Sequence, residues 1–126
     1  MNLLRFPFQQ SIPIMDYDRT LLIIDDEVDV CNLLRRALLK HFHTVECAHS
    51  LTDGYALAAT FQPDVVLLDN NLPDGYGLEH IANFKIGKPT RVVMISAMDI
   101  RQEAMAAGAD EFIGKPVDVK MLKAIA

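Results

Sequence analysis

Five short apolar runs, each followed by polar or charged residues, constrain the fold of this chain more than any other feature. The runs span residues 20–24, 44–48, 65–68, 92–96 and 111–113. Near-continuous apolar runs of this length are typical of strands that are covered on both faces of a sheet. The sequence therefore predicts five strands, each buried between layers of helices.

Segments with helical spacing separate these runs. They predict helices over residues 28–41, from Ser50 to Pro63, over 77–84, over 99–108, and from Asp118 to the chain end. Ser50 and Asp53 form a Ser-x-x-Asp capping pattern, while Asp99 and Gly108 suit the two ends of the fourth helix. The last helix retains only about two turns, so we expect it to be truncated. The strict alternation of strands and helices along the chain predicts an α/β fold with a doubly wound, five-stranded parallel sheet flanked by helices.

Composition limits the classes of partner. The chain has 126 residues, 51% of them hydrophobic, which is enough for one domain with a sizeable core. Its formal net charge is -5 and Arg35-Arg36 is its one basic doublet, so we expect no nucleic acid to be bound by this domain. No apolar run approaches a membrane span, and the N-terminus does not resemble a signal peptide. We expect a cytoplasmic protein with a flexible or loosely docked arm over residues 1–18 and one domain over 19–126.

Two cysteines, Cys31 and Cys47, are spaced neither like a zinc knuckle nor like a redox Cys-x-x-Cys pair. We interpret them as small buried residues in a reducing compartment.

The residues that follow the apolar runs carry most of the chemistry. In open α/β sheets, ligands bind beyond the carboxyl ends of the strands. The residues at those ends are Asp25, Asp26 and Glu27, then Asp69, then Ser96, and finally Lys115 with Pro116. One edge of the sheet should therefore collect three aspartates, a hydroxyl and an ammonium group.

Crowded carboxylates repel one another and raise each other's pKa, so a cation must offset their charge. Oxygen ligands suit Mg²⁺ or Mn²⁺, and Lys115 supplies an ammonium group. A carboxylate nucleophile, a divalent cation and an ammonium group together match the needs of phosphoryl transfer.

Each of these residues also has a plainer interpretation when it is taken alone. Asp25-Asp26 could cap a helix, Asp69 could open a turn, Ser96 could enter a helix, and Lys115 could lie on the surface. Their convergence on one sheet edge favours a shared site.

Four segments, "LLIIDDE", "VVLLDNNLPDG", "VVMISA" and "ADEFIGKPVD", resemble the receiver domain of two-component response regulators of the chemotaxis-regulator type. The resemblance covers residues 19–126 in order. It implies a flavodoxin-like receiver fold and a signalling switch that catalyses only its own phosphorylation and dephosphorylation. The implied partner is a sensor histidine kinase or a phosphotransfer protein.

The resemblance also implies a role for each matching position. Asp69 would be the phosphoacceptor and a metal ligand, Asp26 would bind Mg²⁺ directly, and Asp25 would help through water. The backbone carbonyl of Asn71 would be a further metal ligand. Ser96 and Lys115 would each bond a phosphoryl oxygen.

Phe112 falls at the position of the family's switch aromatic, although plain core packing competes with that role. The Lys115–Pro116 peptide would be cis. The surface of the fourth helix, fifth strand and fifth helix would change, control an output domain or partner, and be available to form a homodimer.

Three other functions were weighed. A haloacid-dehalogenase-type phosphatase would need an aspartate where Asn71 stands. A flavin- or nucleotide-binding module would want a Gly-rich loop where the acidic "DDEVD" stands. A receiver that only docks partners would not need the acidic pair, the acceptor and the lysine.

Overall fold

The computed structural model describes residues 18–126, with the exception of the side chain of Val119. Seven strands occur in this part of the chain, and five of them form one parallel sheet. The strands are β1 (Thr20–Ile24), β2 (Thr44–Ala48), β3 (Val65–Asp69), β4 (Asn71–Leu72), β5 (Gly75–Tyr76), β6 (Arg91–Ser96) and β7 (Glu111–Gly114). The order of the main sheet is β2-β1-β3-β6-β7. This architecture confirms the predicted fold class. The predicted arm falls on residues 1–17, outside the described part of the chain, and on Asp18.

Both faces of the main sheet are covered, as the apolar runs predict. Along β1, Leu22 and Ile24 pack in one core cluster, while Leu21 and Ile23 pack in the other. All four are fully buried. Because neighbouring residues of a strand point to opposite faces, such a run without polar residues is needed only where both faces are covered.

Within the described part of the chain, four α-helices and three 3₁₀ helices connect or follow the strands. The α-helices are α1 (Val28–Leu38), α2 (Leu51–Phe61), α3 (Arg101–Ala106) and α4 (Leu122–Ile125). The 3₁₀ helices are Gly77–His80, Ala82–Lys85 and Val119–Met121. None of the helices within residues 18–126 has the length and apolar character to cross a membrane.

The helix boundaries only partly match the prediction. The Ser50 cap is confirmed, since its side chain accepts a hydrogen bond from the Asp53 N–H at 3.1 Å. Helix α1 ends at Leu38 rather than at residue 41, because the chain turns there to bury Phe42. The N-terminal cap of α3 is the buried Ile100 and not Asp99.

The predicted helix over residues 77–84 is wrong in type. Two 3₁₀ turns replace it, and neither has a side-chain cap at its N-terminus. The Leu78 N–H bonds to the side chain of Asn70, so the first turn is fixed from outside the segment. The two-residue strands β4 and β5, which pair antiparallel just before this segment, were not predicted either.

Candidate functional site

Asp25 and Asp69 lie side by side at the point where the strand order reverses. Strands β1 and β3 are parallel neighbours, with Ile24 paired to Leu68, and each aspartate is the next residue along its strand. From β1 the chain runs to β2 on one side, and from β3 it runs to β6 on the other. Such a switch point opens a crevice in which open α/β sheets bind ligands. Both aspartates are buried, with Asp25 at 1% and Asp69 at 4% exposure.

Lys115 brings three carboxylates around one ammonium group. Its Nζ atom lies 3.1 Å from Asp25 Oδ2, 3.2 Å from Glu27 Oε1 and 3.3 Å from Asp69 Oδ1. The Lys115 N–H donates to the Ser96 carbonyl at 2.9 Å, which anchors the lysine to the end of β6. The Lys115–Pro116 peptide is cis, as the sequence predicts.

The electrostatics of the site follow from this crowding. Burial raises the pKa of Asp69 to about 6, and the charge of Asp25 adds to the effect while Lys115 opposes it. Burial lowers the pKa of Lys115, but its ion pair with Asp25 and the charge of Asp69 outweigh burial, so the net shift is upward. The site therefore holds a firmly protonated lysine beside a carboxylate that is ionised at neutral pH.

The acidic residues after β1 suit a divalent cation. Ligand oxygens of Asp25, Asp26 and Glu27 all lie within 4.8 Å of one another. Asp25 Oδ2 is buried and accepts no hydrogen bond within residues 18–126, although it faces the Lys115 ammonium. Asp26 and Glu27 are exposed. Hard oxygen donors with room for water are what Mg²⁺ prefers, so this donor set fits such an ion.

The side chains of Asp25 and Asp26 do not cap α1 at its N-cap residue. That residue is Glu27, which makes no side-chain cap bond. Asp25 Oδ1 instead accepts from the Glu27 N–H at 2.9 Å, which fixes the loop between β1 and α1. The simple cap interpretation is therefore incomplete, because the other oxygen of Asp25 points to Lys115.

Ser96, Asn71 and Phe112 occupy three different settings. Ser96 is 2% exposed, and its Oγ accepts a hydrogen bond from the Met98 N–H at 3.0 Å. Asn71 is exposed and begins β4, two residues after Asp69. Phe112 is 6% exposed and packs in the core, with the Arg101 guanidinium 5.1 Å from its ring centroid. Burial supports core packing for Phe112, and its switch role stays a prediction.

Asn70 is a site residue that sequence reasoning missed. An Asn shortly before Pro73, Asp74 and Gly75 is typical of a turn, yet Asn70 is 4% exposed. Its Oδ1 accepts from the Leu78 N–H at 3.0 Å, and its carbonyl accepts from the Gly77 N–H at 2.8 Å. Asn70 thus binds the segment of chain that returns past Asp69. The sequence did not predict this burial, because an Asn in a turn-forming sequence is usually exposed.

Asp74 is a second residue that the sequence did not single out. Its carboxylate accepts from the Leu51 N–H at 2.8 Å, from the Thr52 N–H at 2.9 Å, and from the Thr52 hydroxyl at 2.9 Å. The loop after Asp69 therefore caps helix α2 from a distance.

Comparisons with known proteins agree with this geometry. The family model described as the response regulator receiver domain matches residues 21–126. KdpE, the KDP operon transcriptional regulatory protein of Escherichia coli (strain K12), is 36% identical over 106 residues, which are 82% of this chain and 47% of that protein. The chain therefore spans about half the length of KdpE.

Two solved structures share the fold. A response regulator protein from Burkholderia pseudomallei, with a phosphorylated aspartic acid, a calcium ion and citrate, has a TM-score of 0.77 at 25% identity. That alignment covers 86% of this chain and 66% of the other. A CheY-like receiver domain from Methylobacillus flagellatus has a TM-score of 0.73 at 25% identity, covering 86% and 98% of the two chains.

Proposed function

Because the chain belongs to the response regulator receiver family of two-component signalling proteins, we propose that Asp69 is its phosphoacceptor. In this proposal Asp69 takes a phosphoryl group from a sensor histidine kinase or a phosphotransfer protein, in the presence of Mg²⁺ or Mn²⁺. The domain then acts as a switch, and its only catalysis is its own phosphorylation and dephosphorylation.

The observation that carries the proposal is the position of the Lys115 ammonium. It lies 3.3 Å from Asp69 Oδ1 and 3.1 Å from Asp25 Oδ2, and so joins the acceptor to the acidic loop. A phosphoryl group on Asp69 would add negative charge at this point, next to a cation that is already positioned. A merely structural lysine would not need two buried carboxylates as partners.

The chemistry is a displacement at phosphorus. A carboxylate oxygen of Asp69 forms the new P–O bond while the bond between phosphorus and the donor imidazole nitrogen breaks. The imidazole leaves with the bonding electron pair and is neutral once its ring carries a proton taken from water, and the product is an acyl phosphate. Asp69 must be ionised to attack, and a pKa of about 6 leaves it largely ionised at neutral pH.

Asp25, Asp26 and Asp69, with the backbone carbonyl of Asn71, are the residues that would hold the metal ion in this proposal. The ion supplies charge neutralisation on the phosphoryl oxygens when it is bound. Ser96 would donate its hydroxyl hydrogen to a phosphoryl oxygen, since its Oγ at present only accepts, from the Met98 N–H.

The proposed switch also has an output surface. Ser96 and Phe112 flank the surface formed by α3, β7 and α4, so a change at Ser96 would be passed to that surface. We propose that it controls an output domain or partner and can support a homodimer, in a cytoplasmic protein whose receiver itself binds no nucleic acid.

The proposal is tested by phosphorylation with a small phosphodonor such as acetyl phosphate in the presence of Mg²⁺. We expect one phosphoryl group on the wild-type chain and none on Asp69→Asn, while Asp99→Asn, which changes an exposed aspartate near the site, should be labelled normally. Labelling of Asp69→Asn at the wild-type rate would refute the acceptor assignment.

A further inference from the structure

The two cysteines, 16 residues apart in sequence, meet between helix α1 and strand β2. The Cys47 Sγ–H donates to the Cys31 carbonyl at 3.8 Å, which places the two residues next to each other. Cys31 is buried, whereas Cys47 is only partly buried. The expectation of two buried cysteines is therefore wrong for Cys47, because β2 is an edge strand of the sheet.

The two thiols have different surroundings, and we therefore expect them to differ in reactivity. The neighbouring Cys31 thiol lowers the pKa of Cys47, and the charges of Arg35 and His49 act in the same direction, against the effect of burial. Cys47 is thus the more exposed thiol, with a lowered pKa, and Cys31 is its buried neighbour.

We propose that Cys31 and Cys47 are a peroxide-responsive thiol pair that closes to an intrachain disulfide. The thiolate of Cys47 attacks an oxygen of hydrogen peroxide, the O–O bond breaks, and a sulfenic acid forms on Cys47 with release of hydroxide. The sulfur of Cys31 then attacks the sulfur of Cys47, the S–O bond breaks, and the Cys31 proton leaves with the hydroxyl as water. In sum, two thiols and one peroxide give one disulfide and two waters.

The pair is connected to the acidic loop through the backbone of Asp25. The Cys31 Sγ–H donates to the Asp25 carbonyl at 3.5 Å, and the His49 Nδ1–H donates to the same oxygen at 2.9 Å. In the disulfide, the Cys31 sulfur no longer has a hydrogen to donate to the Asp25 carbonyl, and the start of α1 is joined covalently to β2. Oxidation should therefore weaken Mg²⁺ binding by roughly tenfold, the lower end of the loss that follows when an outer-shell partner of a metal site is removed. This second step rests on the proposed function.

The thiol chemistry is tested by treating the purified chain with hydrogen peroxide. The intact mass should fall by two hydrogen masses, a reducing agent should restore it, and peptide mapping should find Cys31 joined to Cys47. In Cys31→Ala the reaction should stop at a sulfenic acid on Cys47, which dimedone traps. The proposal would be overturned if the Cys31–Cys47 peptide were absent and the wild-type chain instead formed a sulfinic acid on Cys47 or a disulfide between two chains.

The link to the acidic loop is tested by titrating reduced and oxidised chains with Mg²⁺ in a calorimeter. An equal dissociation constant for both forms would overturn the link. If the reduced chain binds no Mg²⁺, the metal site of the proposed function fails, while the mapped disulfide stands independently. Cys47→Ser treated with peroxide should bind Mg²⁺ as it does before treatment.

Discussion

The Lys115 ammonium and the Asp69 carboxylate, 46 positions apart in the chain, stand 3.3 Å from each other because β3 and β7 both flank β6. This ion pair is largely closed to solvent, with side-chain exposures of 17% and 6%. Neither residue could reach the other without the sheet, and the sheet brings both to one edge.

Removal of the lysine should slow phosphorylation without preventing metal binding. In Lys115→Met, the phosphoryl oxygens lose a positioned donor, and we expect labelling by acetyl phosphate to slow by roughly 10²–10³-fold, as for loss of one oxyanion donor. Lys120→Met, a change of an exposed lysine, is the matched control. An unchanged labelling rate in Lys115→Met would contradict the assigned role.

Replacement of Asp69 should stabilise the metal-free chain, and the gain should depend on pH. The pKa of Asp69 is raised from 3.8 to about 6 in the folded state, so its ionisation increasingly opposes folding as the pH rises between these values, and the effect is complete above about 6. The difference between the two pKa values sets an upper limit of about 3 kcal/mol on the gain from Asp69→Asn at pH 8. Below the unfolded-state pKa of about 3.8, this gain should vanish.

Urea unfolding in EDTA at pH 8 and again at an acidic pH checks this prediction. Mg²⁺ should reduce the difference between wild type and Asp69→Asn at pH 8, because a bound cation neutralises the crowded carboxylates. A stabilisation that is equal at both pH values would show that charge repulsion is not its cause.

Asp110 should stabilise the fold, with a pH dependence opposite to that of Asp69. Burial alone raises its pKa, but the Lys85 ammonium at 2.5 Å and the Val92 N–H at 2.8 Å outweigh burial, so the net shift is downward. Its contribution is therefore present above the unfolded-state pKa of 3.8 and is lost as the pH falls through the lower folded-state value.

Because the Asp110 side chain is 36% exposed, the ionic part of its contribution should stay below about 1 kcal/mol. Asp110→Asn should lower the unfolding midpoint at pH 7 and have a smaller effect in acid, as measured by thermal denaturation. Asp99→Asn serves as the control. A midpoint difference that grows on acidification would contradict the assignment.

Gly77→Ala should damage both stability and labelling. A Cβ atom at Gly77 would lie 2.3 Å from the Asp69 carbonyl oxygen and 3.0 Å from side-chain atoms of Leu68 and Met94. Relief of this contact would move the backbone beside the acceptor, at a cost of roughly 1–3 kcal/mol in the free energy of unfolding. Gly114→Ala, whose added Cβ meets nothing within 4 Å, is the control, and chemical denaturation with acetyl phosphate labelling measures both effects. Equal behaviour of the two variants would refute the clash.

The five main strands were predictable because burial on both faces demands runs of apolar residues. Strands β1 and β2 begin and end where the sequence predicts, and the other three extend the prediction by one residue each. Helix ends were less predictable. Asp99 is a better cap by residue type, but burial of Ile100 decides where α3 starts. Tertiary packing overrides local preference in such cases.

The site was predictable to the extent that strand ends collect at one edge. This rule placed Asp25, Asp69 and Lys115 together, and the resemblance to receivers is confirmed by the family match. The rule did not reveal the contact between Glu27 and Lys115, because it gives no side-chain direction. Nor did it distinguish a buried Asn70 from a turn residue, since burial depends on the later passage of Gly77 and Leu78.

The contact between Gly77 and the Asp69 carbonyl also bears on how this chain can evolve. Tyr76, which precedes Gly77 and is 57% exposed, has room for many alternative side chains. The glycine itself admits no side chain unless the backbone of the acceptor strand moves first. Descendants of this gene that retain a reactive aspartate at position 69 should therefore also retain glycine eight residues later.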